Sequence, residues 1–140
     1  MKRFNFSLQK VLDFREFEKK QAEAELGKAV AEETKIQNTL DMIAEAHASN
    51  VRAADSTKDI SGMLAAQNYF RLLSQQKEEA LMSLAQAQVI TEEKREAMRE
   101  AMKNCKALEN LRVKRKDAWR KENYKAEENE IDDIVTSKWN

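Results

Sequence analysis

The sequence predicts an all-α protein in which two long helices form an antiparallel coiled-coil hairpin, the second helix longer than the first. Three observations predict this fold. Apolar residues recur in alternating steps of three and four along both halves of the chain, which keeps one narrow stripe on one side of an α-helix. Proline is absent and only Gly27 and Gly62 are glycines, where a mixed globular domain uses about 5% and 7%. Charged residues reach 36% and aromatics only 6%, the balance of solvated helices around a thin apolar seam. Sustained heptads argue against disorder in so polar a chain.

The first helix is expected over about residues 7–54. Ser7 is a suitable N-cap, and the seam then passes through Leu8, Leu12, Arg15, Lys19, Ala22, Leu26, Ala29, Glu33, Ile36, Leu40, Ile43 and His47. Residues 55–62 carry turn chemistry: Asp and Ser bond locally to backbone, and Gly62 permits a positive φ. The second helix is expected over about 63–134, with its seam at Met63, Ala66, Phe70, Leu73, Lys77, Ala80, Leu84, Ala87, Thr91, Lys94, Met98, Ala101, Cys105 and Leu108. At ~1.5 Å per residue the two helices run roughly 70 and 110 Å, so the second projects past the start of the first. Residues 1–140 read as a single coiled-coil domain.

An antiparallel pairing brings together residues whose numbers sum to a constant. A sum of 113 aligns every seam position, setting Leu40 against Leu73, Leu26 against Ala87 and Leu12 against Ala101. Large then faces small in several layers, as a close-packed seam requires. Two layers fit poorly: Lys19 meets Lys94 and Arg15 meets Met98, so the cations must snorkel outward and this stretch is the softest of the hairpin. The first helix carries nine acidic and five basic residues between Glu16 and Asp55, and Lys94–Lys106 carries five basic and two acidic. Opposite signs favour this pairing, at ~0.2–1 kcal/mol per exposed pair.

Composition narrows the function. Lysine plus arginine and aspartate plus glutamate both total 25, so no global field favours nucleic acid or an acidic membrane. Direct membrane insertion is not expected, because no stretch approaches the ~20 apolar residues of a span. Met1-Lys2-Arg3 leads into Phe4-Asn5-Phe6-Ser7 rather than an apolar run, so the reading is of a cytosolic protein. His47 is the sole histidine and Cys105 the sole cysteine; both fall on the seam, His47 as a structural residue and Cys105 as a small buried hydrophobe. No Cys/His spacing suggests zinc and no Gly-rich loop suggests phosphate binding. The expectation is a protein without enzymatic activity, metal or cofactor, working through its outer surface.

Two surfaces stand out. Arg112–Lys125 holds seven basic residues against two acidic, and it lies beyond the start of the first helix. Its inner stripe of Leu108, Leu111 and Trp119 therefore lacks a helical partner and reads as a docking end, with Phe4 and Phe6 able to cover part of it. In the 113 register Tyr69 and Leu72 face solvent just after the turn, a second candidate binding stripe.

The chain ends resemble the FliJ family, the small coiled-coil stalk subunits of the flagellar protein-export apparatus. The resemblance lies in Phe4-x-Phe6-x-Leu8-x-x-Val11-Leu12-x-x-Arg15-x-x-Glu18, and in Lys106-Ala-Leu108-Glu109-x-Leu111 followed by Glu127-Glu-Asn-Glu130-Ile131-Asp132-Asp133-Ile134. Asp132-Asp133 stands where the family usually has Asp-Glu. The resemblance implies a hairpin like the central shaft of rotary ATPases, whose open end enters the flagellar export ATPase ring and promotes its assembly and activity. It turns Leu8, Val11, Arg15, Leu108, Arg112, Arg115 and Trp119 toward that ATPase. It also implies contact of Tyr69 and Leu72 with the cytosolic domain of the export gate, although Gln76, Glu79 and Ser83 beside them are more polar than the pattern. Export chaperones are further implied partners, with a cytoplasmic location peripheral to the inner face of the cell membrane. The equivalent stalk of a virulence-type secretion system, or a generic structural coiled-coil scaffold, shares the same physical features.

Overall fold

The computed structural model describes residues 3–139, so Met1 and Lys2 of the leading segment lie outside the described residues. Two helices account for nearly all of it: α1, Gln9–Ser56, and α2, Ile60–Trp139. They pack against each other as a helical hairpin without strands among the described residues, and α2 is the longer, with 80 residues to 48. Contacts divide the chain into two units. One comprises Ala22–Met98 and contains the turn; the other comprises the residues up to Gln21 with those from Arg99 onward. Near the dividing points the seam positions Arg15 and Lys19 of one unit, and Lys94 of the other, carry charge instead of aliphatic side chains.

In the turn-bearing unit the connection is short, only Thr57-Lys58-Asp59. The hydroxyls of Ser56 and Thr57 both donate to the Ala53 carbonyl, at 2.9 and 2.8 Å, and satisfy an acceptor at the end of α1. Asp59 is the N-cap of α2: its carboxylate accepts from the Ser61 amide at 3.1 Å while its carbonyl accepts from Met63 at 3.0 Å. The expected turn was wider, and Gly62 was expected to supply a positive φ. Gly62 instead sits inside the first turn of α2, and no described residue has a positive φ. Its lack of a side chain matters for another reason: a Cβ added there would overlap the Thr57 γ-methyl. Asp59 starts α2 three residues earlier than the expected boundary.

The seam of this unit is made of the expected residues, but the layers are shifted. The His47 ring lies 4.9 Å from the Phe70 ring, a sum of 117. Asn50 Nδ2 donates to the Ala66 carbonyl at 3.0 Å, a sum of 116. Ile43 and Leu73 share a buried cluster with Ala80, with Leu40 at its margin. Ala29 and Ala87 are both buried and line one groove. The expected sum of 113 is therefore wrong by one seam step. Slipping one helix by three or four residues maps seam positions onto seam positions, so periodicity alone does not choose between registers. The turn does, because a connection centred on Lys58 requires a sum near 116. The slip also frees Lys94 from the cationic layer expected of it; its Nζ lies 3.9 Å from Glu25 Oε2. Thr91 is buried without penalty because its hydroxyl donates to the Ala87 carbonyl at 2.9 Å.

In the other unit the core is Phe6, Leu12 and Cys105, with Phe4, Leu8, Leu108 and Leu111 packed against it. Helix α1 starts at Gln9, and the hydroxyl of Ser7, expected to cap it, accepts instead from Arg115 Nη1 at 3.0 Å. The Leu8 carbonyl accepts the first helical bond, from Leu12, at 2.9 Å.

Candidate protein-docking surfaces

The unit that holds both ends of the described chain contains seven of the expected site residues, and it is organised by the segment that precedes α1. Residues 3–8 are not helical. They lie along α2 because two phenylalanines, two apart, have an apolar stripe to cover. Phe6 is buried in the Leu12–Cys105 core, and the Phe4 ring lies 5.8 Å from the Trp119 ring at 55°, within the range of favourable tilted aromatic pairs. Two arginines of α2 lock the segment down. Arg112 stands 5.6 Å from the Phe4 ring centre and donates to Gln9 Oε1 at 3.1 Å. Arg115 stands 5.6 Å from the Phe6 ring centre and bonds to Ser7. A guanidinium over an aromatic face is worth about 0.5–1 kcal/mol when exposed, so the two arginines add to the larger contribution of the buried rings.

These contacts bring Leu8, Leu108, Arg112, Arg115 and Trp119 together around the N-terminal segment. They also change what those residues offer. Trp119 was expected to be an unpartnered anchor; it is half-buried under Phe4. Val11 remains exposed on α1, and Arg15 pairs with Glu18 at 3.1 Å. The sequence reading passed over Phe14 and Phe17, which are 57% and 55% exposed on α1. Together with Val11 they form an open apolar surface on α1. The signal was present: both lie off the seam in an otherwise polar helix, where a buried position does not explain them.

Cys105 is 1% exposed, and its thiol donates to Glu109 Oε1 at 3.5 Å. Burial pushes its pKa above the ordinary 9.0, the Glu109 carboxylate and Glu16 push the same way, and Lys19 opposes them. Donor atoms of Glu16, Cys105 and Glu109 come within 4.8 Å of one another. A raised thiol pKa disfavours the thiolate that a metal ligand requires, so the arrangement is that of a protonated thiol hydrogen-bonded inside an apolar seam.

In the turn-bearing unit Tyr69 and Leu72 are exposed, as the sequence suggested for them. Tyr69 lines an open groove with Met42 and Ala46 of α1 and Leu73, Gln76 and Glu79 of α2. Leu72 is not among the groove residues. No described helix is long and apolar enough to cross a membrane.

The family model described as the flagellar FliJ protein matches residues 4–140 of this chain. The chain belongs to the FliJ family. It is thus a member of a family of structural components of the flagellar export apparatus. No curated protein and no solved structure matches it. The residues that carry the family resemblance have a concrete structural use here: Phe4, Phe6, Leu8 and Leu12 at one end and Leu108 and Leu111 at the other pack into one core.

Proposed function

We propose that this FliJ-family protein is a non-catalytic stalk that promotes assembly and activity of the flagellar export ATPase ring and links it to the export gate and to export chaperones. It works as one domain in the cytoplasm, peripheral to the inner face of the cell membrane. The unit carrying both chain ends faces the ATPase, through Val11, Arg15 and the exposed Phe14 and Phe17. Leu8, Leu108, Arg112, Arg115 and Trp119 contribute by holding the N-terminal segment that shapes this end. Tyr69 and Leu72 meet the cytosolic domain of the export gate.

The observation that carries the reading is the pairing of a locked N-terminal segment with two solvent-exposed phenylalanines beside it on α1. Exposed aromatics on a rigid scaffold are favoured interface anchors, because little conformational freedom is lost on binding. The test uses purified flagellar export ATPase with the full chain. Phe14→Ser with Phe17→Ser removes the anchors without touching the seam, so helicity should persist while ATPase stimulation falls at least about tenfold, as for loss of two modest hot spots. Arg112→Glu with Arg115→Glu is a poorer probe, since both arginines also hold the N-terminal segment. Full stimulation by the double serine variant would remove this surface from the ATPase contact. Retention of the gate fragment by Tyr69→Ala with Leu72→Ala would do the same for the gate.

A further inference from the structure

We infer that the C-terminal part of α2 pairs with the same segment of a second copy of this chain, antiparallel and in register about Tyr124. Helix α2 has two different faces past residue 110. One carries Leu111 and Trp119, covered by the N-terminal segment. The other carries Val113, Tyr124, Ile131 and Ile134, all exposed, with Tyr124 at 67% and Ile131 at 60%. At about 100° per residue these four lie within roughly 60° of one line, on the side opposite Leu111. They recur at coiled-coil spacing, with Asp117, Arg120 and Glu127 filling the intervening seam positions.

Charge identifies the occupant. Residues 112–125 carry seven basic and two acidic side chains, and residues 126–134 carry five acidic and no basic ones. Among the described residues, no charged side chain from Lys114 to Asp133 forms an ion pair within the chain. A helix with a basic half and an acidic half is complementary to its own antiparallel image. Laid against a second copy about Tyr124, Arg120 faces Glu127 twice, Val113 faces Ile134 twice, Asp117 faces Ile131 twice, and Tyr124 meets Tyr124. The paired numbers alternate between sums of 247 and 248, the same alternation that the hairpin's own seam shows. On the flanks Lys114 falls opposite Asp133 and Lys116 opposite Asp132. A parallel pairing instead sets Arg120 on Arg120 and Glu127 on Glu127, which like-charge repulsion disfavours.

Arg120 and Glu127 lie outside the residues assigned to the ATPase contact, so reversing them tests the pairing and not that contact. Sedimentation of the full chain from low micromolar to sub-millimolar concentration should show a monomer–dimer equilibrium that weakens with salt. Arg120→Glu and Glu127→Lys should each raise the dimer dissociation constant roughly tenfold or more, because symmetry spoils two pairs at once. An equimolar mixture of the two variants should associate again, since each then meets its opposite. In a Cys105→Ala background, Tyr124→Cys should crosslink to itself, and Val113→Cys should crosslink to Ile134→Cys but not to itself. A protein monomeric at sub-millimolar concentration overturns the inference. So does a dimer indifferent to both reversals, a mixture no tighter than its parts, or self-crosslinking at Val113→Cys.

Discussion

The two glycines of this chain make opposite predictions, and the contrast tests the turn. Gly27 lies exposed in the interior of α1, and a Cβ added there meets nothing within 4 Å. Gly27→Ala therefore gains the full helix-propensity difference, about 0.8–1.0 kcal/mol, with no steric cost to offset it. An unfolding entropy of about 2.1 cal/mol/K per residue gives roughly 0.3 kcal/mol/K for a chain of this length, so the melting temperature should rise by about 3 °C. Gly62 is also helical, but its new methyl meets the Thr57 γ-methyl. Thr57 cannot simply rotate away, because its hydroxyl is held by the Ala53 carbonyl at 2.8 Å. Overpacking of this kind costs about 1–3 kcal/mol, which exceeds the propensity gain in a first turn. Gly62→Ala should therefore lower stability by about 1 kcal/mol, and Thr57→Ser, which deletes the methyl and keeps the hydroxyl, should restore most of it through coupling of about 1 kcal/mol. Thermal and urea melts followed by circular dichroism measure the parent, the three single variants and the double variant of positions 57 and 62. If Gly62→Ala stabilises as Gly27→Ala does, and Thr57→Ser leaves that unchanged, the tight three-residue turn is wrong. If Gly27→Ala melts lower than the parent, α1 is not continuous through that position.

Two further outcomes follow from the unit that holds the chain ends. Burial raises the Cys105 pKa, so the folded state keeps the thiol proton to higher pH than the unfolded state does; that stability is present below about pH 9 and is lost as pH rises through the folded value. Urea midpoints should fall at alkaline pH for the parent and fall less for Cys105→Ala; parallel pH profiles would refute the role of the buried thiol. Phe4→Ala should uncover Trp119, so in a Trp139→Phe background its fluorescence should shift to the red while helicity is unchanged. An unshifted spectrum would mean that the ring pair does not shield the indole.

Much of this architecture was legible in the sequence. Seam positions from Leu8 to Ile43 and from Phe70 to Leu108 are buried or half-buried except Lys77, whereas His47 and Met63, nearer the turn, are exposed. The reason is geometric: a helix has one periodicity, and only one stripe of it can face a partner. The family, too, was legible in the aromatic and aliphatic residues at the two ends.

Register was not legible, because the seam repeats and every slip of one step conserves it. A short turn, fixed by Asp59 as N-cap and by the close approach of Thr57 to Gly62, chose a sum near 116 over 113. Nor was the fate of the basic stretch legible. Read alone, Arg112, Arg115 and Trp119 are an unpartnered cationic end; folded, they are the receptor for the chain's own Phe4 and Phe6. Periodicity determined which side chains are buried, since that depends only on local helix geometry. Which of them meet was set by the turn, and which charges remain open to a partner depended on contacts between residues about a hundred positions apart, as Arg112 with Gln9 and Arg115 with Ser7; only the tertiary structure holds those.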